Sequence, residues 1–151
     1  MAELKERLRA DLNTAMRARD QVRMRTLRMA LTSITNEEVA GAAARDLTDD
    51  EIVKVLTREA RKRREAAEAF SAAGRSDQAA AERAEGEDLA EYLPAQLSDD
   101  ELAALVDAAI AETGASGMAS MGQVMKTVTP RVAGRADGAR VAAEVRRRLS
   151  G

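Results

Sequence analysis

Glu91-Tyr92-Leu93-Pro94-Ala95-Gln96-Leu97-Ser98 is the stretch whose reading decides the fold. It holds the only tyrosine and one of the two prolines in a chain of 151 residues. Pro94 lacks a backbone donor and restricts the residue before it, so no helix runs through the stretch. Ser98, followed by Asp99-Asp100-Glu101, has the capping-box pattern that opens a new helix. A long arginine-rich half ends here and a shorter, glycine-punctuated half begins. The expectation is an all-α protein of two helical lobes joined at a Tyr-Leu-Pro linker. The first lobe holds four helices in residues 1–93 and the second three short helices in 94–151. Tyr92 and Leu93 are the residues expected to pin the lobes together.

Composition supports helices. Hydrophobic residues make up 45% of the chain, but only one Phe and one Tyr are among them and Trp is absent. Ala, Leu, Arg, Glu and Met form helix well, whereas the aromatic and β-branched residues that fill strands are scarce. No window is long and apolar enough to span a membrane, which points to a cytoplasmic protein with no membrane partner. With no Cys and no His, the chain has no thiolate nucleophile, no sulfur or imidazole metal ligand and no imidazole base. No catalytic set, metal site or cofactor is expected.

The apolar residues keep helical spacing. Leu4, Leu8, Leu12, Ala15 and Met16 mark a first helix from Ala2 to about Arg19. Asp20 caps a second, through Val22, Leu27, Leu31 and Ile34 to about Ala40, with Gly41 as its stop; the two could equally be one bent helix. Thr48-Asp49-Asp50-Glu51 is another capping box, opening a third helix of roughly 24 residues, about 36 Å long. A fourth, Ser76 to Glu91, offers little apolar surface beyond alanine before Leu89, and Gly86 weakens it by about 1 kcal/mol, so it is expected to be the looser wall. After the linker, a fifth helix carries Leu102, Leu105, Val106 and Ile110 and closes at Gly114. A Ser120–Gln123 capping box is expected to start a sixth, Met121 to about Val128, which Pro130 ends or kinks. Gly134 is a second stop, and Asp137 caps a seventh helix with Val141, Val145 and Leu149.

Charge is segregated along the chain. Residues 1–70 hold 15 Lys/Arg against 13 Asp/Glu, 71–124 hold 2 against 11, and 125–151 hold 7 against 2. Such a basic tail can steer an anionic partner. Lys126, Arg131, Arg135 and Arg140 surround two helix ends and a glycine loop, which makes them candidates for phosphate contacts. Arg146 to Arg148 have a simpler account, since cations in a last turn favour the helix dipole. Arg61-Lys62-Arg63-Arg64 is a second candidate patch, yet four consecutive helical positions span about 300° and cannot share one face. A solvated surface paired with Glu59, Glu65 and Glu68 explains that run as well, with Arg63 leaning toward the core. Without aromatics for stacking, any RNA contact would read backbone and shape. Met118, Met121 and Met125 read as core, and the acidic triplets at 49–51 and 99–101 as helix caps rather than metal ligands.

Several segments occur in a recognisable order: Thr26-Leu27-Arg28, Arg63-Arg64-Glu65 through Phe70, Ala73-Gly74-Arg75, Tyr92-Leu93-Pro94 with Gln96-Leu97, Met121-Gly122 with Met125, and Gly134-Arg135-Ala136-Asp137-Gly138. In that order the chain resembles GatB/YqeY proteins over nearly its whole length. Ala66 and Gly86 depart from the common pattern. The resemblance implies a helical N-terminal lobe followed by a small helical C-terminal lobe. It also implies kinship with the C-terminal module of the B subunit of the tRNA-dependent amidotransferase, a carbon-nitrogen ligase that uses glutamine as amido donor. There the module is implied to hold the tRNA body, with catalysis elsewhere. The expected function is a stand-alone tRNA-binding-like module using Lys126, Arg131, Arg135 and Arg140, with Arg61 to Arg64 as a secondary patch. The alternatives are a protein-interaction or assembly module without nucleic acid, or an accessory to an amidotransferase or other translation-related protein.

Overall fold

The computed structural model describes residues 2–150 and is all-helical, with no strand among them. Its elements are α1 (Glu3–Ala18), α2 (Gln21–Glu38), α3 (Asp49–Ala72), α4 (Ser76–Ala90), α5 (Asp99–Thr113), a 3-10 turn (Met118–Ser120), α6 (Met121–Val132) and α7 (Gly138–Ser150). The chain divides into two units, Met1–Leu93 and Pro94–Gly151.

In the first unit the apolar stripes of α1, α2 and α3 meet. Leu8, Leu27, Ala30, Ile34, Ile52, Val55 and Leu56 form its core together with Leu47, Leu89 and Tyr92. α1 and α2 are two helices rather than one bent one, because Arg19 takes a left-handed conformation (φ 56°) and the Asp20 carboxylate then accepts from Arg23 N–H at 3.1 Å. α2 ends without help from Gly41: Val39 closes it, and Gly41 is not among the positive-φ glycines. The chain between α2 and α3 is held instead by Glu38. That buried carboxylate accepts from Lys5 Nζ at 2.8 and 3.0 Å and from Leu47 N–H at 3.4 Å. At Thr48 the capping box forms as expected, and Arg45 adds a bidentate pair to Glu51. That arginine first, then the Thr48 N–H, pushes the Glu51 carboxyl down to about 2.

α4 is attached by charge as well as by alanine. Its carboxylates recur every third residue, so Glu82, Glu85, Asp88 and Glu91 drift slowly around one side of the helix. Glu82 and Glu85 reach Arg63 of α3 at 3.8 and 3.2 Å. Glu85 also takes Arg25 of α2 at 3.0 Å, while Asp88 and Glu91 take Arg23 at 3.4 and 3.0 Å. Gly86 lies against α3, where an added Cβ would meet the Arg63 Cβ at 3.8 Å, an ordinary contact. Gly86→Ala is therefore expected to stabilise the protein by up to about 1 kcal/mol through helix propensity alone. A urea melt showing the variant to be less stable would contradict that placement.

Tyr92 and Leu93 both pack on the first unit's own core. The partners of the Tyr92 side chain are Arg7, Asp11 and Arg23, all within the first unit, so the residue closes that unit's own core.

In the second unit, Leu102, Val106, Ala109, Val124, Val128, Val132, Val141 and Val145 form a separate core, joined by Leu97 and Ala136. The Ser98–Glu101 capping box starts α5, Gly114 ends it at φ 65°, and Asp137 accepts from Arg140 N–H at 3.0 Å to start α7. Two expectations fail here. Ser120 does not cap α6: its backbone closes the 3-10 turn at φ −91°, ψ 0°, rather than being extended as a cap requires, and its hydroxyl donates to Ser116 O. Nor does α6 end near Val128, since it continues through Pro130 to Val132. Val124, Val128 and Val132 lie four apart on one buried face, and burying the third offsets the hydrogen bond that Pro130 cannot donate. Ala133 (φ 51°) and Gly134 (φ 77°) then stop the helix.

Candidate nucleic-acid interface

The four C-terminal candidates do not converge. Arg135 and Arg140 reach the first turn of α5, where Arg140 binds Asp99 at 2.9 Å and Arg135 donates to Ala95 O at 2.9 Å and faces Glu101 at 3.8 Å. Arg131 makes a bidentate pair with Glu112 at the other end of α5. First turn and last turn of that helix lie about 20 Å apart at 1.5 Å per residue. The guanidinium of Arg131 holds the Glu112 carboxyl below its ordinary range. Lys126 is exposed and its side chain has no partner among the described residues.

Folding thus cancels the charge segregation seen along the sequence. The acids of α5 supply partners for the cations of α6 and α7, including Asp107 for Arg148 at 3.5 Å. Residues 94–151 hold 7 Lys/Arg and 7 Asp/Glu, so the second unit carries no net charge.

Arg146 is the cation that sequence reasoning set aside. Arg147 and Arg148 both bind Glu144, three and four residues back, and hold its carboxyl down. Arg146 is only two residues from Glu144, a spacing that turns side chains away from each other. It is exposed and its side chain is unpartnered among the described residues. That signal was present in the spacing.

The run at 61–64 spreads around α3, as its helical geometry requires. Arg63 turns inward, where Glu59, Glu82 and Glu85 surround it and its side chain is 20% exposed. Lys62 donates to Glu59 at 3.3 Å, and Arg61 faces Glu65 at 3.9 Å. Arg64 is exposed. One of the four is therefore an internal clamp.

A second polar cluster, unforeseen in the sequence, surrounds Tyr92. Its hydroxyl donates to Asp11 at 2.6 Å and accepts from Arg23 at 3.1 Å, and the Arg7 guanidinium lies 4.6 Å from the ring centroid. Burial, and then the Asp11 hydrogen bond, push the phenol well above its ordinary range, so it remains a donor. Burial likewise raises the Asp88 carboxyl, against the pull of Arg23. The members come from α1, α2 and the end of α4, the last more than 60 residues from the other two in sequence.

Among the described residues no group of carboxylates is arranged to hold a metal ion, and no helix is long and apolar enough to cross a membrane. The sequence matches the family described as Yqey-like protein over residues 5–149. The chain is a member of the YqeY-like family. The match covers both units of this YqeY-like chain, from α1 to α7. No curated protein matches it.

Proposed function

We propose that this YqeY-like chain is a cytoplasmic binding module, without catalysis of its own, that contacts the sugar-phosphate backbone of tRNA through its second unit. The observation that carries the reading is that Lys126 and Arg146 are exposed cations without a side-chain partner among the described residues. Arg131, Arg135 and Arg140 add to it, because exposed ion pairs are worth only about 0–1 kcal/mol and a phosphate can take an arginine from a carboxylate. Arg61, Lys62 and Arg64 form a weaker patch, and Arg63 takes part only by leaving its clamp. The likeness to the tRNA-holding module of the amidotransferase B subunit supports tRNA over other anions. It also leaves room for an amidotransferase as protein partner.

The test uses deacylated and glutamylated tRNA titrated over a series of salt concentrations. Lys126→Glu/Arg146→Glu disrupts no internal pair, so the variant should stay folded, bind roughly tenfold or more weakly at low salt, and lose about one unit of log–log salt slope per phosphate contact. Absent binding at low salt, or an unchanged affinity in the variant, overturns the reading. The zero net charge of the second unit favours the second reading, an assembly module without nucleic acid. A protein partner that survives ribonuclease treatment of the extract would support it.

A further inference from the structure

Between Arg61 and Asp88 the sequence contains a single apolar residue larger than alanine, Phe70. None of these positions belongs to the first unit's buried core cluster. The fully covered side chains in the segment are Ala67 and Ala79, 2% and 0% exposed. Each removes one methyl group from water, where the leucines and isoleucines at the roots of the same two helices remove a whole branched chain. Those roots are secure: Ile52, Val55 and Leu56 hold the start of α3, and Leu89 with Tyr92 holds the end of α4. The distal parts are joined by alanine contacts and by Arg63, which faces Glu82 and Glu85 across the helix pair, while Arg25 and Arg23 of α2 reach only the base of the arm, at Glu85 and Asp88. At the tip, Gly74 turns the chain at φ 75° and Arg75 N–H bonds Phe70 O at 2.8 Å.

Local stability follows buried apolar contact, and segments poor in it open without global unfolding. We propose that residues 61–88 form an arm that opens as a unit while the rooted ends of α3 and α4 stay docked, with Arg63 as its latch. The arm needs no RNA and stands whether or not the second unit binds any.

Hydrogen exchange followed by mass spectrometry on the full chain tests it at neutral pH without denaturant. Peptides within 64–84 should exchange at least tenfold faster than those covering 26–34 and 52–57. Arg63→Gln should accelerate the arm several-fold more and leave 26–34 unchanged. Gly86→Ala, which adds helix propensity without a clash, should slow the arm selectively. Arm and core exchanging together at one rate, or either substitution shifting both regions equally, would show that no separate opening exists.

Discussion

Lys5→Met should be among the most destabilising single substitutions in the chain. Lys5 and Glu38 are 7% and 8% exposed, and the ammonium gives the carboxylate its two shortest contacts. Removing one member of a buried pair leaves an uncompensated charge, at a cost of about 3–5 kcal/mol, and the partial exposure here places the expectation near the lower figure. Lys5→Met/Glu38→Leu should recover much of the loss, because apolar replacement of a whole pair is often neutral. The pH dependence has a definite sign. The Lys5 hydrogen bond holds the Glu38 carboxyl below its ordinary 4.5, so its contribution is complete above that value and is lost as pH falls through the depressed folded value. The gap between wild type and Lys5→Met should therefore narrow in acid. Urea titrations at pH 7 and pH 3.5 giving equal gaps would rule out this charge argument.

Tyr92→Ala is the second. The ring is 5% exposed, and truncating a buried aromatic side chain typically costs about 3–5 kcal/mol. Tyr92→Phe separates the ring from the hydroxyl. It keeps the packing and the Arg7 contact but leaves Asp11 without its 2.6 Å donor, a loss of about 1–3 kcal/mol. The two variants should thus form a graded series in denaturant midpoint. If Tyr92→Phe cost as much as Tyr92→Ala, the ring would contribute little and the core assignment would be wrong.

The helical class and most helix starts were legible because their signals are local. Thr48 with Glu51, Ser98 with Glu101, and the caps Asp20 and Asp137 each act within one turn. What failed depends on distant residues. Pro130 reads as a stop or a kink, and the helix's continuation past it is explained only once Val132 is seen to be buried beside Val128. The basic tail reads as an unpaired patch until α5 is folded against it, bringing Glu112 to Arg131 and Asp99 to Arg140. The partners that Tyr92 finds inside the first unit were equally hidden, since Asp11 and Arg23 lie 81 and 69 residues upstream. Of the proposed interface, the inward turn of Arg63 was foreseeable from helical angles. The isolation of Arg146 was equally readable, from its distance to Glu144.

The balanced charge of the second unit also sets how fast it can meet a polyanion. Seven cations balanced by seven acids leave the unit no net charge, and the field of its local charges is screened within about 8–10 Å in physiological salt. An approaching nucleic acid would feel no long-range pull from this unit, and association would proceed near the unsteered rate of about 10⁵–10⁶ M⁻¹s⁻¹ rather than the far faster steered limit. Ionic strength would then act mainly on how long such a complex lasts, through contacts made only after the surfaces have met.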